Sequence, residues 1–301
     1  MRKYPILLLI VFSLLCILPG AENPNDSGLS KDNEPVPAEA GTSTVSAQKA
    51  SDPPHTPAGP DQDQLRNLAF EEPNPDFSFP GRKRRYFYQG FSQGNNIALT
   101  FDDGPNAQFT SPLLALLREK KVPATFFLLG ENVRLHPQIV KEIRESDCEV
   151  GNHSFSHMNL GNATPEKIRE ELEKTQFEIQ KACGILPMVL RVPYGVSGEQ
   201  VARAAFELKM DLFFWSIDTN DYKKTVTKDD IVKIVLKDAK GGSLILMHDN
   251  SQKVLDAVKE IIDLLREKGL NFVTCSELAR EARTNQLQKE KNQEGNTNIS
   301  R

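Results

Sequence analysis

The sequence predicts an α/β fold built on a mostly parallel sheet. From about residue 85 to residue 283, short apolar runs alternate with longer amphipathic stretches, the pattern of strands joined through helices. The polar motifs of the chain sit where the apolar runs end, and in parallel α/β folds chemistry collects at the carboxyl ends of the strands.

The N-terminus comes first and lies outside that pattern. Arg2 and Lys3 precede an apolar run over 6–18 that only Ser13 interrupts, and Pro19, Gly20 and Ala21 follow it. The run is shorter than the roughly 20 residues of a membrane-spanning helix, and small residues after it suit signal-peptide cleavage. Residues 1–21 are therefore expected to be a signal peptide cut near Ala21. The alternative, an uncleaved anchor, is the only membrane association expected. Ser13, Leu14 and Leu15 make a poor lipidation box for Cys16.

Residues 22–84 are rich in Pro, Ser, Asp, Glu, Gly and Ala and show no apolar period. Such a segment cannot bury enough surface to offset chain entropy and is expected to be a disordered linker. The polar tail 284–301 is expected to fray. An exported chain with a long tether is expected to work outside the cytoplasm, in the cell envelope or beyond.

Between linker and tail, strands are expected at 97–101, 124–129, 149–152, 188–191, 212–217, 243–247 and 271–274. Helices are expected at 111–120, 137–146, 165–183, 199–209, 228–237 and 253–268. The clearest is 165–183: Thr164 is placed to cap it, Pro165 fits its first position and Gly184 stops it. Periodicity alone does not distinguish an open doubly wound sheet from a barrel.

Composition narrows the function. Of the 301 residues 39% are hydrophobic, enough for one sizeable core, and the net charge of -4 carries no basic excess, so nucleic acid is not the expected partner. Of the four cysteines, three remain after the signal segment, Cys148, Cys183 and Cys275. They complete no disulfide framework and match no zinc spacing, and read as small buried hydrophobes.

Five strand-end motifs carry the chemistry. The first, Thr100-Phe101-Asp102-Asp103-Gly104-Pro105, runs an apolar strand into two carboxylates and a turn. The pair can divide labour between metal ligand and base, or be an ordinary acidic turn. The second, His153-Ser154-Phe155-Ser156-His157, holds two of only five histidines. That spacing brings two imidazoles to one side of a helical turn or tight loop, suited to a metal with a carboxylate, or to two satisfied polar histidines. The third, Arg191-Val192-Pro193-Tyr194-Gly195, offers an arginine that can keep a carboxylate ionised or form a structural salt bridge. The fourth runs from Trp215, the usual core use of tryptophan, through Asp218-Thr219-Asn220-Asp221-Tyr222. The fifth, Leu244-Ile245-Leu246-Met247-His248-Asp249, ends a buried strand at a histidine that can serve as general acid.

In order and content these five segments resemble the polysaccharide deacetylase family, carbohydrate esterase family four, whose catalytic part is the NodB-homology domain. The resemblance covers about residues 85–282, so 85–283 is expected to be the catalytic domain. It implies a distorted (β/α) barrel with fewer than eight complete units. It implies that Asp103, His153 and His157 bind a divalent metal, usually zinc, with cobalt, manganese or nickel as alternatives. By the same resemblance Asp102 is the general base, Arg191 holds and tunes it, His248 is the general acid and Asp221 orients that histidine. The Tyr194 backbone N–H is the implied oxyanion donor. Where the family's fourth motif usually ends in tryptophan, this chain has Tyr222, an aromatic wall of the acetyl pocket with an added hydroxyl.

The activity this implies is N-deacetylation of an N-acetylglucosamine polymer, peptidoglycan or chitin-like, by a monomer. The alternatives are an O-acetyl esterase acting on a xylan-type polysaccharide and a non-catalytic carbohydrate-binding envelope protein, since fold alone does not prove activity.

Overall fold

The computed structural model of the protein describes residues 86–90 and 93–285. The expected signal peptide and linker lie outside them, as does the tail beyond residue 285. In chain order the elements are β1 (Tyr86–Phe87), β2 (Asn96–Gly104), α1 (Thr110–Lys120), β3 (Thr125–Leu128), α2 (Gly130–Leu135), α3 (Pro137–Arg144) and β4 (Glu149–Asn152). There follow α4 (Pro165–Cys183), β5 (Val189–Leu190), α5 (Glu199–Glu207), β6 (Asp211–Phe213), β7 (Ile217–Asp218), α6 (Lys228–Asp238), β8 (Leu244–His248), α7 (Gln252–Glu267) and β9 (Asn271–Phe272). A last helix, α8, covers residues 275–285.

The strands pair in parallel in the order β1-β6-β5-β4-β3-β2-β8-β7, and β9 adds to the start of β2. This order forces the sheet to curl. β6 and β7 stand near opposite ends of it, yet three residues join them. The four steps from Phe213 to Ile217 reach at most about 14 Å, whereas six strand spacings in a flat sheet are about 29 Å. The two ends must approach one another, and the result is an incomplete parallel barrel.

Strand alternation sorts the side chains. On β2, Ile97, Leu99 and Phe101 face the helices and join the largest apolar cluster, with Phe126 and Leu128 of β3, Ile245 and Met247 of β8, and the inner faces of α1, α3, α6 and α7. Ala98 packs in a separate cluster with Phe127, Val189, Phe213, Leu244, Cys275 and Leu278, where α8 covers one end of the barrel. Thr100 and Asp102 share the Ala98 side of the strand, so the pattern that buries the core also brings Asp102 inward at the carboxyl end of β2.

The expected elements form, with four differences. The apolar run 212–217 is two strands, because Phe214, Trp215 and Ser216 carry the chain across the seam of the barrel. The six-residue helix α2 lacks a readable period, opening on Gly130 and closing just before Pro137. β1 and α8 add to the expected elements. Helix α4 has the expected ends: the Thr164 hydroxyl accepts from Lys167 N at 3.3 Å, Pro165 follows it and Gly184 is left-handed at φ 78°. Cys148, Cys183 and Cys275 are free thiols, Cys275 buried and the others half-buried against the core.

Candidate active site

All nine residues singled out in the sequence lie at the carboxyl ends of the strands. Asp102 and Asp103 end β2, His153 follows β4, Arg191 follows β5, Asp221 follows β7 and His248 ends β8. Seven of them form one connected set, and Tyr194 and Tyr222 flank it.

Arg191 is fully buried and its guanidinium is the strut of the site. Nη1 donates to Asp102 Oδ1 at 2.8 Å and to Thr100 Oγ1 at 2.7 Å, and Nη2 donates to Phe214 O at 2.7 Å. Its face lies 4.3 Å from the Phe127 ring centroid. A buried charge is tolerated only when paired and hydrogen-bonded, and these contacts meet that need. Asp102, 3% exposed, therefore has one oxygen fixed, while Oδ2 lies 3.7 Å from His153 Nε2.

The three candidate metal ligands converge beside this pair. Asp103 Oδ1 lies 3.5 Å from His153 Nε2 and 3.3 Å from His157 Nε2. One donor atom from each of the three residues falls within 4.8 Å of the others. The far nitrogens of the imidazoles are occupied: His153 Nδ1 donates to the Arg191 carbonyl at 2.7 Å, and His157 Nδ1 shares a hydrogen bond with the Tyr194 hydroxyl at 3.1 Å. Both Nε2 atoms are thus turned to one point. Burial, reinforced by neighbouring His153, lowers the pKa of His157 and favours the neutral ligating form. Burial works against the Asp103 carboxylate, but His248, His153 and His157 together hold its pKa below the ordinary value.

Asp103 Oδ1 is buried and accepts no hydrogen bond among the described residues. An unpartnered buried carboxylate oxygen is costly. Two imidazole nitrogens and a carboxylate facing one point fit a divalent cation with positions left for other ligands. The backbone is shaped to the same end. Asp103 (φ 71°), Ser154 (φ 67°), His157 (φ 59°), Tyr194 (φ 62°) and Asn220 (φ 55°) all adopt left-handed conformations, which non-glycine residues keep only where their surroundings impose it.

On the other side stands His248. Its Nδ1 lies 2.9 Å from Asp221 Oδ1, its backbone N–H donates to Asp221 Oδ2 at 2.8 Å, and its Nε2 lies 3.9 Å from Asp103 Oδ2. Burial opposes the charge on this imidazole, yet Asp221, with Asp103 and Asp102, raises its pKa to about 10. The Tyr222 ring meets His248 edge-on with centroids 5.9 Å apart, and its hydroxyl donates to Asn220 Oδ1 at 3.3 Å. Trp215 is buried in the second core cluster and packs on the Pro193–Gly195 turn, where a Cβ on Gly195 would lie 2.7 Å from its ring.

Two residues of the site have no role in the sequence reading. Asp249 is buried behind Gly104, accepts from the Thr110 hydroxyl, and burial raises its pKa to about 7. A Cβ on Gly104 would lie 2.6 Å from its Oδ2, so a side chain there would have to displace this buried carboxylate. Glu171 is a buried carboxylate of α4 that accepts from the backbone of the histidine loop. The sequence did carry a trace of it, since Glu171 falls on the stripe formed by Ile168, Leu172, Thr175 and Ile179 that α4 buries.

The polysaccharide deacetylase family model matches residues 91–213. A peptidoglycan-N-acetylglucosamine deacetylase of Bacillus cereus is 39% identical over 196 residues, 64% of this chain and 71% of that protein. The peptidoglycan-N-acetylmuramic acid deacetylase PdaC of Bacillus subtilis is 38% identical over 182 residues, 60% of this chain and 38% of that protein. A crystal structure of a peptidoglycan N-acetylglucosamine deacetylase matches with a TM-score of 0.63 and 37% identity, over 65% of this chain and 92% of that one. With the strand-end motifs assembled in one site and a relative of this identity matched over most of its length, the chain belongs to the polysaccharide deacetylase family.

Proposed function

We propose that this chain is an extracytoplasmic hydrolase that removes N-acetyl groups from the amino sugars of peptidoglycan, using a divalent ion, zinc first, held by Asp103, His153 and His157. One observation carries the reading: three donor atoms converge between two separate dyads, Asp102 with Arg191 and His248 with Asp221. Bound there, the ion supplies Lewis acidity toward the acetyl carbonyl and the attacking water.

The protein groups do the proton work. Asp102 keeps Oδ2 free of Arg191 and accepts the proton of the water as its oxygen adds to the acetyl carbon. The tetrahedral oxyanion is met by the Tyr194 backbone N–H. His248, kept protonated by Asp221, donates from Nε2 to the amide nitrogen as the C–N bond breaks. Acetate and a free amine leave. Tyr222 forms an aromatic wall beside His248 and the pocket. The peptidoglycan substrates of the two curated relatives support that polymer. The wall-directed substrate in turn supports an extracytoplasmic site of action and fits an expected domain order of signal peptide 1–21, linker 22–84, catalytic domain 85–283 and tail. Among the described residues no helix is long and apolar enough to cross a membrane.

Acetate release from peptidoglycan, N-acetylglucosamine oligomers and acetylated xylan, with and without a chelator, tests this. The expected outcome is chelator-sensitive release from the amino-sugar polymers, restored by zinc. Release from xylan alone replaces the proposal with an O-acetyl esterase, and glycan binding without any release replaces it with a carbohydrate-binding protein.

A further inference from the structure

We infer that Glu171 is the positioning residue of the His153–His157 loop, setting the affinity of the metal centre without itself being a ligand; this rests on the metal reading proposed above. Glu171 sits on α4 and is 2% exposed. Its Oε2 accepts from two consecutive backbone amides, Phe155 N at 3.0 Å and Ser156 N at 2.9 Å, and both carboxylate oxygens lie 3.1 Å from the Ser156 hydroxyl. The charge is not buried there for an ion pair alone: Lys167 approaches only to 3.5 Å and also serves Glu170. The carboxylate is spent on the loop.

That loop needs holding. Ser154 and His157 are both left-handed, at φ 67° and 59°, and neither is glycine, so the conformation persists only under external constraint. The constraint comes from three directions. The start of α2 donates to the loop carbonyls, from Gly130 N to Ser154 O at 3.0 Å and from Glu131 N to Phe155 O at 3.1 Å. Asn152 Oδ1 accepts from Ser154 N at 2.9 Å, while the Asn152 amide donates to Leu172 O at 3.0 Å, one residue from Glu171. Glu171 takes the two amides that remain at the crest, midway between the histidines. It is the only one of the three with a full charge, and charge-assisted hydrogen bonds are about twice as strong as neutral ones. Packing seats the same segment: a Cβ on Gly130 would lie 2.4 Å from the Phe155 ring and 2.8 Å from Thr175 Oγ1. The register of α4 against the loop therefore sets where both Nε2 atoms stand relative to Asp103.

The test is zinc titration of the full chain against a competing chromogenic chelator, with the melting temperature of the metal-free protein measured alongside. Glu171→Ala is expected to weaken zinc binding about 10- to 100-fold, the range seen when groups that orient metal ligands are removed. Glu171→Gln, which keeps one acceptor for the backbone amides, is expected to fall between that and wild type. If Glu171→Ala does not fold, weaker zinc binding by folded Glu171→Gln alone carries the assignment. Wild-type zinc affinity in every folded Glu171 variant, beside lost binding in His153→Ala, overturns the role of Glu171 and leaves the metal reading standing. A wild-type chain that takes up no zinc overturns both.

Discussion

The two ends of the barrel treat inward-facing carboxylates in opposite ways. At the amino end, Glu149 starts β4 and accepts from Thr125 Oγ1 at 3.0 Å, from Ser276 N at 3.1 Å and from the Ser276 hydroxyl. Burial raises its pKa although all these donors oppose the shift. Its oxygens are satisfied by neutral groups. At the carboxyl end, Asp102 is bound to a buried arginine, Asp103 keeps an orphaned oxygen, and five non-glycine residues are left-handed. A satisfied carboxylate joins elements, here α8 to β3 and β4. An unsatisfied one in strained surroundings is held ready for something else. Position on the same strands therefore separates stability from chemistry.

The sharpest way to break that comparison is Asp102→Asn. The asparagine keeps an acceptor for Arg191 and removes the proposed base. Acetate release is expected to fall about 10²- to 10⁴-fold while zinc affinity stays near wild type; retained turnover excludes Asp102 as the base.

Asp221→Asn sharpens it next. Asp221 is the largest of the charges that raise the His248 pKa to about 10, with Asp103 and Asp102 behind it, so the proposed proton donor stays protonated above neutrality. Without that charge the pKa falls, protonated His248 is lost at lower pH, and the alkaline limb of kcat/KM is expected to move down by about one to three pH units. A limb that does not move assigns the general acid elsewhere.

The smallest effect belongs to the amino end. A carboxyl group whose folded pKa is raised is bound to its proton more tightly in the native state, so the stability it contributes declines as pH rises above the ordinary carboxylate range. Glu149→Gln should remove that part of the slope in melting temperature against pH and leave turnover per folded molecule unchanged. A loss of turnover in a folded Glu149→Gln protein erases the distinction between the ends.

Much of the site was legible because a strand end is a sequence-local event. The step from Phe101 to Asp102, or from Met247 to His248, shows in the residues where burial stops and chemistry starts. The parallel pattern was legible for the same reason. The crossing at Phe214–Ser216 was not, because an apolar run of this kind reads alike whether it continues a strand or traverses a seam. The short helix α2 has too few residues to show a period. Glu171 and Asp249 were hidden for a different reason. A glutamate in a charged helix reads as solvated, and an aspartate after a histidine reads as a turn, until the fold brings backbone amides or a glycine turn against them. The notable exception is Arg191, whose reach to Asp102 the motif resemblance anticipated, while its bond to Phe214 O required the curl of the sheet.

That bond has a bearing on how this protein can change over generations. Arg191 ties the ends of β2 and β5 to the segment leaving β6, so losing it strands Asp102 and a backbone carbonyl in the interior, a penalty of about 3–5 kcal/mol. His157, by contrast, is partly exposed, and its loss is expected to cost the fold less. A lineage released from selection for turnover can shed His157 while purifying selection on foldability keeps the arginine. In a descendant of this chain, Arg191 is thus a fossil of architecture, and the histidine loop is the record of whether the chemistry is still alive.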